Sequence, residues 1–252
     1  MGQTRKVSGR FNEFDRMIIS RRLAMDLSMF PQYGGAINQG IVSANGFNYN
    51  YTEDCKAGAY TIYAGRPRRK IECFLLFVNK NKIAELHSMR QSSDCALQDN
   101  STSHNLLHAA LTLAKEKGAT RIELTDTANK RLPYDKSFRL SNMYFLTTGH
   151  TWYEIHGGFH PISSDSKYVS RWRQSAFTNS WDKVYSCLLE RIPDIRIPVD
   201  ISDINGKAEG SAMEVFLRIK DSRTSFFADY QRDLMECSNI GALETIIWYR
   251  EV

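Results

Sequence analysis

The sequence predicts an α+β fold: a mixed, mainly antiparallel sheet flanked by helices, with a helical C-terminal extension. Three observations carry this. Two apolar, β-prone runs, 71–78 and 83–89, are joined by the polar turn Asn79-Lys80-Asn81-Lys82, which is the pattern of a hairpin. Leu106, Leu107, Ala110, Leu111, Leu113 and Ala114 then recur at helical spacing, Gly118 follows, and Thr120-Arg121-Ile122-Glu123-Leu124 reads as a short strand. Further on, Phe177, Trp181, Val184, Tyr185 and Leu188 repeat with the period of a helix.

Residues 1–12 are polar and basic and read as an arm. Residues 14–29 carry Met17, Ile18, Leu23, Met25 and Leu27 and read as a helix that Pro31 stops. The Gly- and Asn-rich stretch 31–50 reads as turns with short strands at best. Residues 59–64 are β-prone and lead through a turn at Gly65-Arg66-Pro67 into the hairpin. The central helix spans 103–117, with Ser103 as its N-cap, Lys115 and Lys117 in the last turn, and Gly118 as the left-handed stop. It packs across a sheet containing 71–78, 83–89 and 120–125. A polar insert, 130–142, reads as a surface loop or a partner-binding flap. A helical segment then resumes at 143–154, with Ser141 as its cap. Residues 163–166 read as a linker, 168–190 and 213–235 as helices, and 242–249 as an apolar tail too greasy to stay solvated. The domain reading is an arm and helix at 1–50, an α/β unit at 51–165, and a helical extension at 166–252 packed on it.

The 252 residues hold 42% hydrophobic and 12% aromatic side chains, enough for a sizeable core. No apolar run reaches membrane-spanning length, and the N-terminus has no apolar signal region, so secretion is not expected. The five cysteines, at 55, 73, 95, 187 and 237, show no paired spacing and read as reduced thiols in an intracellular protein. The net charge of +5 is mild. Its basic clusters, Arg5-Lys6-Arg10 and Arg66-Arg68-Arg69-Lys70, read as a solvated tail and hairpin, so nucleic acid is not the favoured partner. His104 and His108 sit four apart on the central helix, but the glutamate of an H-E-x-x-H pair is missing and no third ligand is evident in the sequence. No metal site is expected.

The run LLHAALTLAKEKGATRIEL, then Asn129, Trp152-Tyr153-Glu154 and Gly158-Phe159 resembles the second half of the GNAT N-acetyltransferase superfamily. The wording around LTTGHTWYE is similar to GNAT-like proteins of large DNA viruses. The resemblance implies a GNAT-like sheet in which the second hairpin strand leads into a pyrophosphate loop at the start of the central helix. It implies acetyl-CoA as cofactor and Tyr153 as the acid that protonates the CoA thiolate. Glu85 is then a candidate base by position, and Arg90, Gln91, Ser101, Ser103 and Asn129 are candidate cofactor contacts.

Two departures weigh against activity. The stretch matching the pyrophosphate loop, MRQSSDCALQDNSTS, has no glycine to let the backbone approach phosphate, and it carries Asp94 and Asp99. Tyr-Glu is followed by Ile155-His156-Gly157-Gly158-Phe159, one residue longer than the pattern. Tyr153 therefore reads as core packing before catalysis. The expectation is a catalytically degenerate acetyltransferase-like scaffold without cofactor. It would serve as a structural virion component such as a minor capsid protein, in the virion or the cytoplasm of the infected cell, with other assembly proteins, capsid proteins among them, as partners. The alternative is an active acetyl-CoA-dependent N-acetyltransferase.

Overall fold

The computed structural model describes residues 37–66, 71–90, 95, 102–201 and 210–252. The expected arm, the helix at 14–29, the basic residues 68–70, and Gln91 and Ser101 lie outside them.

An eight-stranded sheet forms the spine. Its strands are β1 (Ile37–Ala44), β2 (Phe47–Lys56), β3 (Ala59–Arg66), β4 (Ile71–Val78), β5 (Ile83–Met89), β6 (Arg121–Thr125), β9 (His160–Pro161) and β10 (Ile247–Glu251). They lie in the order β1-β2-β3-β4-β5-β6-β10-β9. Only β5 and β6 run parallel, and every other adjacent pair is antiparallel. The parallel pair requires a crossover, and helix α1 (Ser103–Glu116) supplies it. The fold is thus α+β with a mainly antiparallel sheet flanked by helices.

The sheet begins earlier than the residue pattern suggests. The stretch 31–50 reads as turns with short strands at best, yet its described part, 37–50, forms the eight-residue β1 and the first part of β2, joined at Asn45 and Gly46, both with positive φ. That is the two-residue hairpin turn that Asn-Gly favours. A boundary at residue 50 would cut β2 in half.

Helix α1 buries Leu106, Leu107, Ala109, Ala110, Leu113 and Ala114 against β1, β4 and β5. Its N-cap is Thr102 rather than Ser103: the Thr102 side chain accepts from the Asn105 N–H at 3.3 Å, while Ser103 is the first helical residue. At the other end Gly118 adopts φ 75°, and the Gly118 and Ala119 N–H groups donate to the Lys115 and Ala114 carbonyls. This closes the helix in a Schellman turn. Lys117 then pairs with the buried Glu53 of β2, flanked by the faces of Tyr51 and Tyr60, and fixes the helix on the sheet.

The insert at 130–142 is a small hairpin of β7 (Asn129–Arg131) and β8 (Ser137–Arg139), anchored by the buried Phe138 against Phe227. Helix α2 (Leu140–Thr148) follows and ends at Gly149, so 143–154 is two helices, the second being α3 (Trp152–Gly157). Arg139, not Ser141, occupies the α2 N-cap, with no side-chain cap bond. Residues 163–166 are no linker but the first turn of α4 (Ser163–Thr178), with Asp165 placed at the positive end of the helix dipole. Helices α5 (Trp181–Arg191), α6 (Ala212–Ser222) and α7 (Ser225–Cys237) complete the C-terminal layer, which packs on α2.

The apolar tail does not stay with that layer. It returns as β10 and inserts between β6 and β9, with Trp248 fully buried. The C-terminal segment is therefore helices plus one integral strand of the sheet, and a cut at 165/166 would remove that strand.

The cysteines are not all reduced thiols. Cys73 on β4 is bonded to Cys95, and Cys187 on α5 to Cys237 at the end of α7, with Cα–Cα separations of 5.6 and 5.7 Å. Sequence separations of 22 and 50 gave no hint of pairing, because the partners meet only once the sheet and the α5–α7 pair have formed. Cys55 remains a free, exposed thiol.

Candidate functional site

The parallel strands β5 and β6 pair over three residues only, Ile83↔Arg121, Ala84↔Ile122 and Glu85↔Glu123. Beyond these both strands continue unpaired with each other and splay apart. A bulge in the β4–β5 ladder accompanies the splay, since Leu75 faces Ser88 while Leu76 faces Leu86, leaving His87 as the extra residue. The wedge opens a cleft of about 80 Å³ lined by Glu85, Leu86, His87, Glu123, Leu124, Thr125 and Ile247. It lies beyond the last paired residues, at the carboxyl ends of the parallel strands, where α/β sheets place ligands.

The charged side chains of the cleft are matched within their own strands. Residues two apart on a strand share a face. Glu85 and His87 accordingly approach to 3.4 Å, and Arg121 and Glu123 to 2.5 Å. Arg121 also stacks over the Tyr249 ring at 5.5 Å. Among the described residues, Glu85 is the one sequence-derived candidate that lines this cleft.

Tyr153 does not. It is fully buried on α3, its ring packed 5.1 Å from Trp152 and 5.8 Å from Phe159, centroid to centroid. Burial, with the nearby Asp126 adding to it, drives its hydroxyl well above the ordinary tyrosine pKa, and that hydroxyl has no hydrogen-bond partner among the described residues. A proton donor for a bound thioester needs hydrogen-bond reach to it, and the Tyr153 side chain has no open surface from which to reach.

The residues around Tyr153 have structural explanations. Thr151 and Glu154 form a capping box: the Thr151 N–H donates to the Glu154 carboxylate at 2.8 Å, and the Glu154 N–H donates to the Thr151 hydroxyl at 3.3 Å. Glu154 also pairs with Arg173 of α4. Gly158, at φ 63°, caps the C-terminus of α3, and a Cβ on Gly157 would sit 2.7 Å from the Phe159 ring. The Thr-Trp-Tyr-Glu and Gly-Gly-Phe signals are thus the two ends of one short, capped helix.

Asp126, unmarked in the sequence reading, is the most perturbed carboxylate of this region. It follows β6 directly and is completely buried. One carboxyl oxygen accepts from the Ala128 N–H at 3.3 Å, and the other has no partner among the described residues. Burial raises its pKa to about 7, against the pull of the Ala128 N–H and of Arg139, with Glu154 adding to the rise. Nothing in the local pattern Thr-Asp-Thr distinguishes a buried aspartate from an ordinary turn residue.

Of the expected cofactor contacts, Arg90, Ser103 and Asn129 are among the described residues. Arg90 is exposed, with its backbone N–H donated to the Cys73 carbonyl at 2.6 Å. Ser103 is buried in the first turn of α1. The Asn129 amide is turned onto the Thr127 carbonyl at 2.9 Å, in the β7–β8 hairpin. Between Arg90 and Ser103 stands Cys95, 5% exposed, bonded to Cys73, with its sulfur 3.3 Å from the Arg90 carbonyl oxygen. At Cys95 the connection from β5 to α1 is bonded to β4.

Among the described residues no group of three or more His, Cys, Asp or Glu side chains is placed to hold a metal ion, and no helix is long and apolar enough to cross a membrane. Comparison with known protein families, with curated proteins and with solved structures finds no match.

Proposed function

We propose that this chain is a catalytically degenerate acetyltransferase-like scaffold that acts as a structural component of an assembly, such as the minor capsid protein of a large DNA virus that its sequence resemblance implies. The observation that carries the first half is the Cys73–Cys95 bond. In the acetyltransferases that the sequence resembles, the connection from the hairpin to the central helix wraps the cofactor pyrophosphate with free backbone N–H groups. Here that connection lacks glycine and is bonded through a buried sulfur to the neighbouring strand. The antiparallel meander feeding a helix, then a strand beside the meander's last strand, fits the scaffold part of the reading. The assembly part rests on the sequence resemblance alone.

A second reading, an active acetyl-CoA-dependent N-acetyltransferase, is favoured by one feature: the cleft between the splayed ends of β5 and β6, with Glu85 on its wall. The two are separated by turnover. Purified chain is incubated with acetyl-CoA and amine acceptors, and release of the CoA thiol is followed. The scaffold reading expects no release above the protein-free rate. Turnover at about 1 s⁻¹ or faster, ordinary for an enzyme, overturns it.

A further inference from the structure

Three imidazoles gather where α1 meets α3. His104 and His108 are one helical turn apart on α1 and project from the same face. Their Nε2 atoms stand 3.1 Å apart. His156 of α3 lies beside them, its ring centroid 5.9 Å from that of His104 and 4.9 Å from that of Trp152. Arg250 of β10 closes the group and donates to the Gly157 carbonyl at 2.7 Å.

We infer that His104 and His108 form a two-imidazole chelate for a divalent transition-metal ion of the zinc class, with water completing the coordination. A zinc ion bonds imidazole nitrogen at about 2.0–2.1 Å, so two ligands at the tetrahedral angle stand about 3.3–3.4 Å apart. The observed 3.1 Å separation needs only a few tenths of an ångström of opening. The helix holds both rings in register. Thr102 caps its first turn and the Thr112 hydroxyl bonds back to the His108 carbonyl, so the backbone under the pair is fixed without the metal. Coordination needs neutral imidazole. An all-nitrogen donor pair selects zinc, nickel or copper over magnesium or calcium, which take oxygen ligands. His156 is a neighbour rather than a ligand, since no third donor is placed around the same point among the described residues.

The test is calorimetric titration of zinc chloride into the full chain, stripped of metal with a chelator, at pH 7.5. The expected result is one site with a dissociation constant below about 100 µM. His104→Ala and His108→Ala should each weaken it at least tenfold, His156→Ala should change it less than threefold, and magnesium should not bind there. Circular dichroism without metal checks that each variant folds. Failure to bind at 1 mM zinc overturns the inference and leaves a hydrogen-bonded imidazole pair. Unchanged affinity in both α1 variants places the ion elsewhere, for instance at the exposed Cys55 thiol, and also overturns it. An equal loss in His156→Ala overturns the two-ligand set.

Discussion

Asp126 turns the burial of the region into a pH dependence that one substitution should remove. Its carboxyl group titrates at about 7 in the folded chain against the ordinary aspartate value of 3.8, chiefly because burial penalises the charged form. Below the lower value both states hold the proton, and the group places no charge in the core. As the pH rises, the unfolded chain releases its proton first, while the folded chain keeps it up to the higher value. Unfolding is thereby favoured by about 1.4 kcal/mol per pH unit across the window. Over roughly three units the wild type loses about 4 kcal/mol relative to a chain without that carboxyl group. Asp126→Asn keeps the shape and removes the ionisation. Urea unfolding of both proteins at half-unit steps from pH 4 to pH 8, at constant ionic strength, should show the substituted protein gaining on the wild type by up to about 4 kcal/mol as pH rises, with most of the gain made by pH 7. All other titrating groups cancel in that difference. Parallel curves would show that Asp126 is solvated or already ionised when folded. A difference of opposite sign would mean that Arg139 holds it as a buried ion pair. Either outcome refutes the reasoning.

Two further predictions follow from the same packing. Tyr153→Phe removes a buried hydroxyl that has no partner among the described residues, and an unsatisfied group of that kind costs about 1–3 kcal/mol, so the substitution should leave stability unchanged or raise it. A destabilisation beyond about 1 kcal/mol in urea unfolding would instead assign the hydroxyl a bond that matters. Replacing Cys187 by Ser opens the 50-residue separation closed by the Cys187–Cys237 bond and should cost about 4 kcal/mol on the chain-entropy account, while Cys73→Ser should cost about 3 kcal/mol. Equal unfolding midpoints with and without a reductant would contradict both disulfides.

Much of the sheet was legible because its signals are local. The β4–β5 hairpin announces itself through two apolar runs and a four-residue polar turn, and α1 through its apolar face and Gly118. What escaped depends on partners distant in sequence. β1 and β2 are rich in Asn and Gly and carry a β signal only once they lie on the meander. β10 could be read as sticky, but its slot between β6 and β9 is set by the sheet and not by the run itself. The disulfides pair positions 22 and 50 apart for the same reason. Around α3 the signals are local as well. Thr151-x-x-Glu154 is a capping-box pattern visible in the sequence, and the aromatic Trp152-Tyr153 pair reads as core packing. The structure places Glu154 in that cap and Tyr153 fully buried. Asp126 could not be found by pattern, because burial alone makes it unusual.

The proposed scaffold role turns on the connection between β5 and α1, which lacks glycine and is bonded to β4 at Cys95. Calorimetric titration of acetyl-CoA into the disulfide-bonded chain tests it most directly. The account predicts no saturable heat, meaning a dissociation constant weaker than about 1 mM. Saturable one-to-one binding at or below about 10 µM, worth roughly 7 kcal/mol, would contradict it.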